Sequence, residues 1–239
     1  MVEGRNAVAE ALKGGSAADK LYVQEGEKAG PISKIIALAK EQGILTVFVP
    51  KDKLDSMSST GRHQGVILNL SAVTYAEVDD ILERAKERGE APFIFVLDGI
   101  EDPHNLGAII RSANLAGAHG VIIPKHRSAS VNATVARCSA GAVYHTLIAK
   151  VTNISQTIEY LKNKGVWFVC ADMSGTSMYD LDLKGSIGLV IGNEGEGVSR
   201  VVKEKCDFIA SIPMKGDIDS LNASVAAGIL AWEIVRQNS

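Results

Sequence analysis

The residues best suited to chemistry fall in short polar loops that each follow an apolar run. After Phe93-Ile94-Phe95-Val96-Leu97 the sequence reads Asp98-Gly99-Ile100-Glu101-Asp102-Pro103-His104-Asn105-Leu106-Gly107-Ala108-Ile109-Ile110-Arg111-Ser112. Asp102-Pro103 signals a helix start, with Asp as cap and Pro at the first helical position. Asn105 then sits in the first turn, and Gly107 lets another backbone come close. Arg111 follows one turn later, surrounded in sequence by Leu106, Ala108, Ile109, Ile110 and Ala113. It is either a surface arginine on a buried helix or a guanidinium that pairs with an anion. After Ile187–Ile191 comes Gly192-Asn193-Glu194-Gly195-Glu196-Gly197. Its glycines expose backbone N–H and C=O groups, and a tight turn fits it as well as a ligand loop does. Its order is GxxGxG, so the dinucleotide fingerprint GxGxxG is not met. The third loop, Ile212-Pro213-Met214-Lys215-Gly216-Asp217-Ile218-Asp219-Ser220-Leu221-Asn222-Ala223-Ser224, leads into an apolar segment. Taken alone, Ser220 and Asn222 read there as helix caps.

A fourth feature is an absence. No acidic residue occurs in the 56 positions between Asp102 and Glu159, which hold Arg111, Lys125, Arg127, Arg137, Lys150 and four of the five histidines. Lys125-His126-Arg127-Ser128-Ala129-Ser130-Val131-Asn132 lies within it, directly after an apolar run, and suits phosphate oxygens. Over the whole chain of 239 residues acid prevails slightly: 25 Lys+Arg against 28 Asp+Glu leave a formal charge of −3. That balance excludes a histone-like chain or a polybasic arm. His104, His119, His126 and His145 have no metal-ligand spacing, and Cys138, Cys170 and Cys206 form no CxxC pair. No metal is therefore expected, and the thiols are expected to be buried apolar fillers in a reducing cytoplasm. No apolar run is long enough for a membrane span, and Met1-Val2-Glu3-Gly4-Arg5 opens no secretory signal.

The elements that must position these loops follow from the hydrophobic pattern. Strands are expected at 93–97, 121–123, 146–148, 166–169, 187–191 and 208–212, with helices near 106–117, 131–139, 153–163 and 220–236. Continuous apolar strands alternating with helices predict an α/β fold with a mostly parallel sheet, whose ligands sit at the carboxyl ends of the strands. Residues 1–74 form a smaller α/β unit, with helices at 3–12 and 32–42 and strands at 21–23, 45–49 and 66–70. The charged run Tyr75–Glu90 carries 3 basic and 6 acidic residues and reads as an exposed helix or linker. The expected domains are 1–74, a linker at 75–91, and 92–239.

In this order and spacing the three loops resemble the motifs of the SpoU (TrmH) family of RNA ribose 2′-O-methyltransferases, of the SPOUT class. Asp102, Pro103, Asn105, Gly107, Arg111 and Ser112 match the first motif. Gly192, Glu194 and Gly197 match the second, and Pro213, Met214, Ser220, Leu221, Asn222 and Ser224 the third. Gly4-Arg5-Asn6-Ala7-Val8 and Gly61-Arg62-His63-Gln64-Gly65-Val66 resemble the substrate-binding domain of the bacterial 23S rRNA guanosine 2′-O-methyltransferase subgroup. That domain is similar to a large-subunit ribosomal protein. The resemblance implies a C-terminal trefoil knot, a homodimer, and S-adenosyl-methionine held in the knot loops. It places cofactor contacts on Val190, Gly192, Ile212, Met214, Leu221 and Ser224, largely through backbone. It places RNA contacts on Arg5, Arg62, His63, Lys125 and Arg127. Ala223, Val225, Ala226, Ala227 and Ile229 are expected at the dimer interface. tRNA and antibiotic-resistance rRNA ribose methyltransferases of the same family remain open as alternatives.

The catalytic set implied is Asn105, Arg111, Glu194, Ser220 and Asn222. A ribose hydroxyl must lose its proton as it attacks the methyl group. Arginine is a poor base for this: deprotonating it first at pH 7 costs roughly 7–9 kcal/mol. Arg111 is therefore read as a positioner of the nearby phosphate and a stabiliser of developing alkoxide charge. The substrate phosphate is left to take the proton.

Overall fold

The computed structural model describes residues 1–27, 30–216 and 220–239. The chain forms two compact units, Met1–Thr74 with Ser130–Asn132, and Tyr75–Ala129 with Ala133–Ser239. The first unit runs β1 (Val2–Glu3), α1 (Arg5–Lys13), β2 (Ala18–Gln24), α2 (Pro31–Glu41), β3 (Leu45–Val49), α3 (Lys51–Met57) and β4 (Val66–Leu70). Its sheet has the order β1-β4-β2-β3, parallel between β2 and β3 and otherwise antiparallel. Val8 and Leu12 of α1 and Ile32, Ile35 and Ala39 of α2 close a core against Leu21, Val23, Val66 and Leu68. α3 escapes the hydrophobic pattern because Leu54 is its one buried side chain among charged neighbours.

The second unit continues with α4 (Val78–Arg88), β5 (Phe93–Asp98), α5 (Pro103–Leu115), β6 (Gly120–Pro124), α6 (Ala133–Cys138), β7 (Leu147–Val151), α7 (Ile154–Lys162), β8 (Trp167–Ser177), β9 (Ile187–Gly192), α8 (Arg200–Lys203), β10 (Phe208–Ser211) and α9 (Ala223–Asn238). Its six strands lie in the order β10-β8-β9-β5-β6-β7, and every pairing is parallel. Both faces are covered, which is why the strands read as unbroken apolar runs. Ile94, Val96, Ile122, Phe168 and Val190 pack with Ile81 of α4 and Ile158 and Leu161 of α7. The alternate strand positions Phe95, Leu97, Leu189 and Ile191 are buried too, and α5 and α9 pack against each other and the sheet. β8 runs well past residue 169 because its far half pairs with β10 after a register shift between Ile209 and Ala210. Among the described residues no helix is long and apolar enough to cross a membrane.

Residues 78–88 are not a linker. Ile81 and Ala85 of α4 are fully buried, and at Gly120 an added Cβ would lie 2.6 Å from Ile81 atoms. The charges that suggested a solvated segment occupy the outer face of an amphipathic helix. A capping box at Glu77 and Asp80 starts it, and Gly89, at φ 67°, ends it in the left-handed region. Of the thiols, Cys170 is buried as expected, whereas Cys138 and Cys206 are half-buried.

His119 ties the end of this segment to the sheet. It is 1% exposed, its Nδ1 accepts from Phe93 N–H at 3.0 Å, and its Nε2 lies 3.0 Å from Glu90 Oε2. Burial holds the imidazole below its usual range although Glu90 pulls the other way. A base whose pKa is lowered by folding adds stability above its unfolded value, about 6.5, and loses it as pH falls through that value. The melting temperature should therefore drop between pH 7 and 5.5. His119→Asn keeps an acceptor at the δ position, so it should start lower at pH 8 but lose less over that interval. Thermal denaturation of both proteins across the range checks this.

Candidate active site

The carboxyl ends of β5 and β9 and the start of α9 bring three loops together. Asp102 caps α5 by accepting from His104 N–H at 3.1 Å, with Pro103 in the first turn. This fixes Asn105, 7% exposed, at the inner end of the helix. Two residues on, Gly107 faces α6 so closely that a Cβ would meet Cys138 Cβ at 2.6 Å and Val135 O at 3.0 Å. The glycine loop after β9 closes on itself: Asn193 N–H donates to Gly197 O at 3.0 Å and Gly197 N–H to Asn193 O at 2.9 Å. Gly192 is required beneath that turn, since a Cβ would lie 2.0 Å from the Gly197 carbonyl carbon. Asn193 Nδ2 also donates to Gly99 O at 3.0 Å, and Ser199 N–H to Asp98 Oδ2 at 2.8 Å, so the β5 and β9 loops are stitched together.

Asn222 completes the cluster. Its Oδ1 accepts from Ser224 N–H at 2.9 Å and Val225 N–H at 3.3 Å, capping α9. With the oxygen so occupied, Nδ2 must point the other way. It donates to Asn105 Oδ1 at 3.0 Å and to Glu194 Oε1. Asn105 in turn donates Nδ2 to Glu194 Oε1 at 2.9 Å. Among the described residues the carboxylate is thus held by two carboxamides and no cation, and its second oxygen is left for another donor.

Beside this cluster is a cleft of about 290 Å³. Ile191, Ile212, Leu221 and Leu230 give it apolar walls, and Gly192–Gly197 give it a backbone edge. Asp172, Glu194 and Glu196 line it, while no Lys or Arg does among the described residues. Such a cleft suits a molecule with an apolar body and positive charge. Among the described residues no three His, Cys, Asp or Glu side chains converge as a bound metal ion would require.

The sequence-derived residues divide accordingly. Asn105, Glu194 and Asn222 meet, and Gly192, Ile212, Met214, Ser220 and Leu221 line the cleft. Val190 does not: it is buried in the sheet core, because Ile191 takes the cleft-facing position of the strand. Ser224 serves the cap instead, its hydroxyl donating to Asn222 Oδ1 at 2.6 Å. Arg111 is exposed and has no hydrogen-bond or ion-pair partner among the described residues, so on this chain alone it is a surface arginine. Ala223 and Ala227, expected at an interface, are buried within their own chain. Lys125 is half-buried, and Arg127 is exposed with φ 51°, a left-handed backbone costly for a residue with a side chain. Asp217, Ile218 and Asp219 of the third loop lie outside the described residues.

In the first unit a separate loop is built around Glu3. Its carboxylate accepts from the Ser58 hydroxyl, from Ser59 N–H and Oγ, and from Thr60 Oγ, which holds it well below the usual carboxylate range. The loop carries Arg62, which is exposed. Arg5 is engaged nearby with Gln64 O at 3.0 Å and Glu27 Oε2 at 3.1 Å. His63 is not available to a ligand. It is 5% exposed, Nδ1 accepts from Gly65 N–H at 3.1 Å, and Nε2 is 2.8 Å from Asp55 Oδ1. Asp172, Met173 and Asn193 are site residues the sequence reading passed over. Asn193 stands in the glycine loop after Ile191, and Asp172 follows an expected strand at the same sheet edge.

The cap and the cluster can be separated by substitution. Asn222→Asp keeps the cap acceptor but sets a second carboxylate against Glu194. Asn222→Ser keeps only the cap and should cost about 1–2 kcal/mol through the lost donors. At pH 8 the Asp variant should be the less stable of the two. The gap should narrow toward pH 4.5, where one shared proton restores a donor. Denaturation at the two pH values measures the difference.

Comparison with known proteins supplies the family. Residues 92–232 match the SpoU rRNA Methylase family, and residues 1–76 match the family described as RNA 2′-O ribose methyltransferase substrate binding. YacO of Bacillus subtilis strain 168, named for the TrmH family of tRNA/rRNA methyltransferases, is 47% identical over 239 residues, 100% of this chain and 96% of that protein. The SpoU methyltransferase AviRb from Streptomyces viridochromogenes, solved in complex with AdoMet, aligns with a TM-score of 0.62 and 25% identity over 99% of this chain and 89% of its own. An AdoMet-bound rRNA methyltransferase from Sinorhizobium meliloti aligns with a TM-score of 0.62 and 27% identity over 98% and 85%. With its motif residues gathered at one sheet edge and both segments matched, the chain belongs to the SpoU rRNA methylase family.

Proposed function

We propose that this protein methylates a ribose 2′-hydroxyl of RNA using S-adenosyl-methionine, and that the target is a guanosine of 23S rRNA. The observation that carries the reading is the Asn105–Glu194–Asn222 cluster at the mouth of a cleft that has acidic but no basic lining. The cofactor is cationic at sulfur and apolar in its nucleoside, and the lining residues fit both properties. Gly192, Ile212, Met214 and Leu221 would hold it. When bound, it supplies an activated methyl group on a sulfonium.

The chain's own residues do the rest. Asn105 and Asn222 fix Glu194 so that its free oxygen can accept from a ribose hydroxyl. Arg111, with its donors unspent, takes the adjacent phosphate and stabilises charge on the attacking oxygen. Leu115 lies four residues beyond Arg111 on the same helix face and is 65% exposed. Val225 and Trp232 of the neighbouring α9 are about half exposed. These apolar groups support a homodimer built on α5 and α9, which would bring a second chain up to Arg111. The expected trefoil knot would run through 210–224, and residues 217–219 of that loop lie outside the described set. Lys125, Arg127, Arg62 and Arg5 are the proposed RNA contacts. The presence of the first unit favours rRNA over tRNA, and the cytoplasm is the proposed location.

Mapping 2′-O-methyl positions in rRNA and tRNA from a deletion strain tests the substrate. Loss of one guanosine mark in 23S rRNA is expected, and loss of a tRNA mark alone would refute it. Arg111→Ala should lower methyl transfer at least 10²-fold while S-adenosyl-methionine still binds. Near-normal turnover on cognate rRNA removes Arg111 from the mechanism. RNA affinity should also fall steeply as salt rises from 50 to 200 mM. Lys125 and Arg127 replaced by Ala should flatten that slope in a filter-binding series.

A further inference from the structure

Asp172 lines the cleft but takes no part in the proposed methyl transfer. It stands on β8, which pairs with β9 on the side away from β5, so it faces the cleft from the edge opposite Asn105. Its Oδ1 accepts from Ser174 N–H at 2.9 Å and Ser174 Oγ at 2.6 Å. Its Oδ2 accepts from Lys203 Nζ at 2.8 Å. Lys203 Nζ also donates to Ser174 Oγ at 3.1 Å. A carboxylate offers about four acceptor sites and an ammonium three donors. Among the described residues one acceptor site on Asp172 Oδ2 and one donor on Lys203 Nζ are therefore left over. Both side chains stay about a quarter exposed, at 26% and 27%. A spare acceptor on the cleft-lining Asp172 and a spare donor of opposite charge on Lys203, 2.8 Å from it and outside the lining itself, complement a zwitterion.

We propose that Asp172 and Lys203 grip the α-amino-acid end of the cofactor, the ammonium on Asp172 Oδ2 and the carboxylate on Lys203 Nζ. The inference rests on reading the cleft as an S-adenosyl-methionine site. Ser174 braces both groups in advance, so little ordering is required on binding. The carboxyl group of Asp172 is held at about 2, so it is ionised throughout the working range. Lys203 closes α8 and Asp172 sits on a strand, so both are carried by regular elements.

Two ligands separate this role from a purely structural one. S-adenosyl-homocysteine has the amino-acid end, whereas 5′-methylthioadenosine has the same nucleoside and a thioether without it. Calorimetric titration of the wild-type protein should show tighter binding of the first. Asp172→Asn and Lys203→Met should each weaken S-adenosyl-homocysteine about tenfold or more and leave methylthioadenosine unchanged. The exchanged pair, Asp172→Lys with Lys203→Asp, restores an internal ion pair and should keep the melting temperature without restoring affinity. Lys203→Met covers the case in which Asp172→Asn does not fold. Equal losses for both ligands, unchanged S-adenosyl-homocysteine affinity in folded variants, or recovery in the exchanged pair would each overturn the proposal. If the wild-type protein binds neither nucleoside nor S-adenosyl-methionine, the cofactor reading itself fails, and this one with it.

Discussion

The carboxamide of Asn222 is the joint on which the site depends. Its oxygen caps the C-terminal helix, and its nitrogen bonds Asn105 in the first turn of α5 and Glu194 in the loop after β9. A cap is worth about 1 kcal/mol and a hydrogen bond to a charged group about 1.5–3. Neither figure is large, but both are drawn from one planar group. The cap cannot turn without releasing Glu194, and Glu194 cannot shift without disturbing the start of α9. The closed turn over Gly192 supplies the complementary constraint, because no residue with a Cβ fits beneath it. Position is thereby transmitted from a helix terminus and a strand end to a single carboxylate oxygen.

Most of the larger unit was legible in the sequence because its physics is local. Buried parallel strands need apolar runs, and Phe93–Asp98 and Ile187–Gly192 show them. Asp102-Pro103 marked the start of α5 for reasons of backbone geometry alone. What failed depended on direction or on distant partners. Val190 and Ile191 are adjacent and equally apolar, and only the pleat decides which one sees the cleft. His63 has the chemistry of a ligand contact, but Asp55 and Gly65 occupy both of its nitrogens. Within residues 75–91, expected as an exposed helix or a linker, the helix forms, but composition averages its two faces, while Ile81 reports only the buried one. Asp172 was passed over because its value comes from Lys203 and Ser174, which local spacing does not join to it.

Charge is sorted by place, and this resolves the formal sum of −3 for an RNA methyltransferase family member. The cleft has acidic lining, whereas the acid-free stretch supplies Lys125 and Arg127 at the carboxyl end of another strand of the same sheet. On the proposed reading, RNA phosphates would be drawn to the basic loop and the cationic cofactor to the acidic cleft. One sheet edge can thus receive two ligands of opposite charge without confusing their places.

The exposure of Arg111 fits this arrangement better than burial would. A guanidinium paired within its own chain has spent the donors that a phosphate needs, and removing it from that partner adds to the barrier. Here the helix beneath it is fixed by the Asp102 cap and by the close approach at Gly107, while the side chain keeps its donors. The backbone cost of placing the group is met on folding, and only rotamer freedom remains to be lost on binding. In the proposed homodimer, exposed Leu115 on the same face would be covered by the second chain, which would lower the local dielectric. On the proposed reading, an arginine idle in one chain is in the state from which substrate binding and assembly would both strengthen its field.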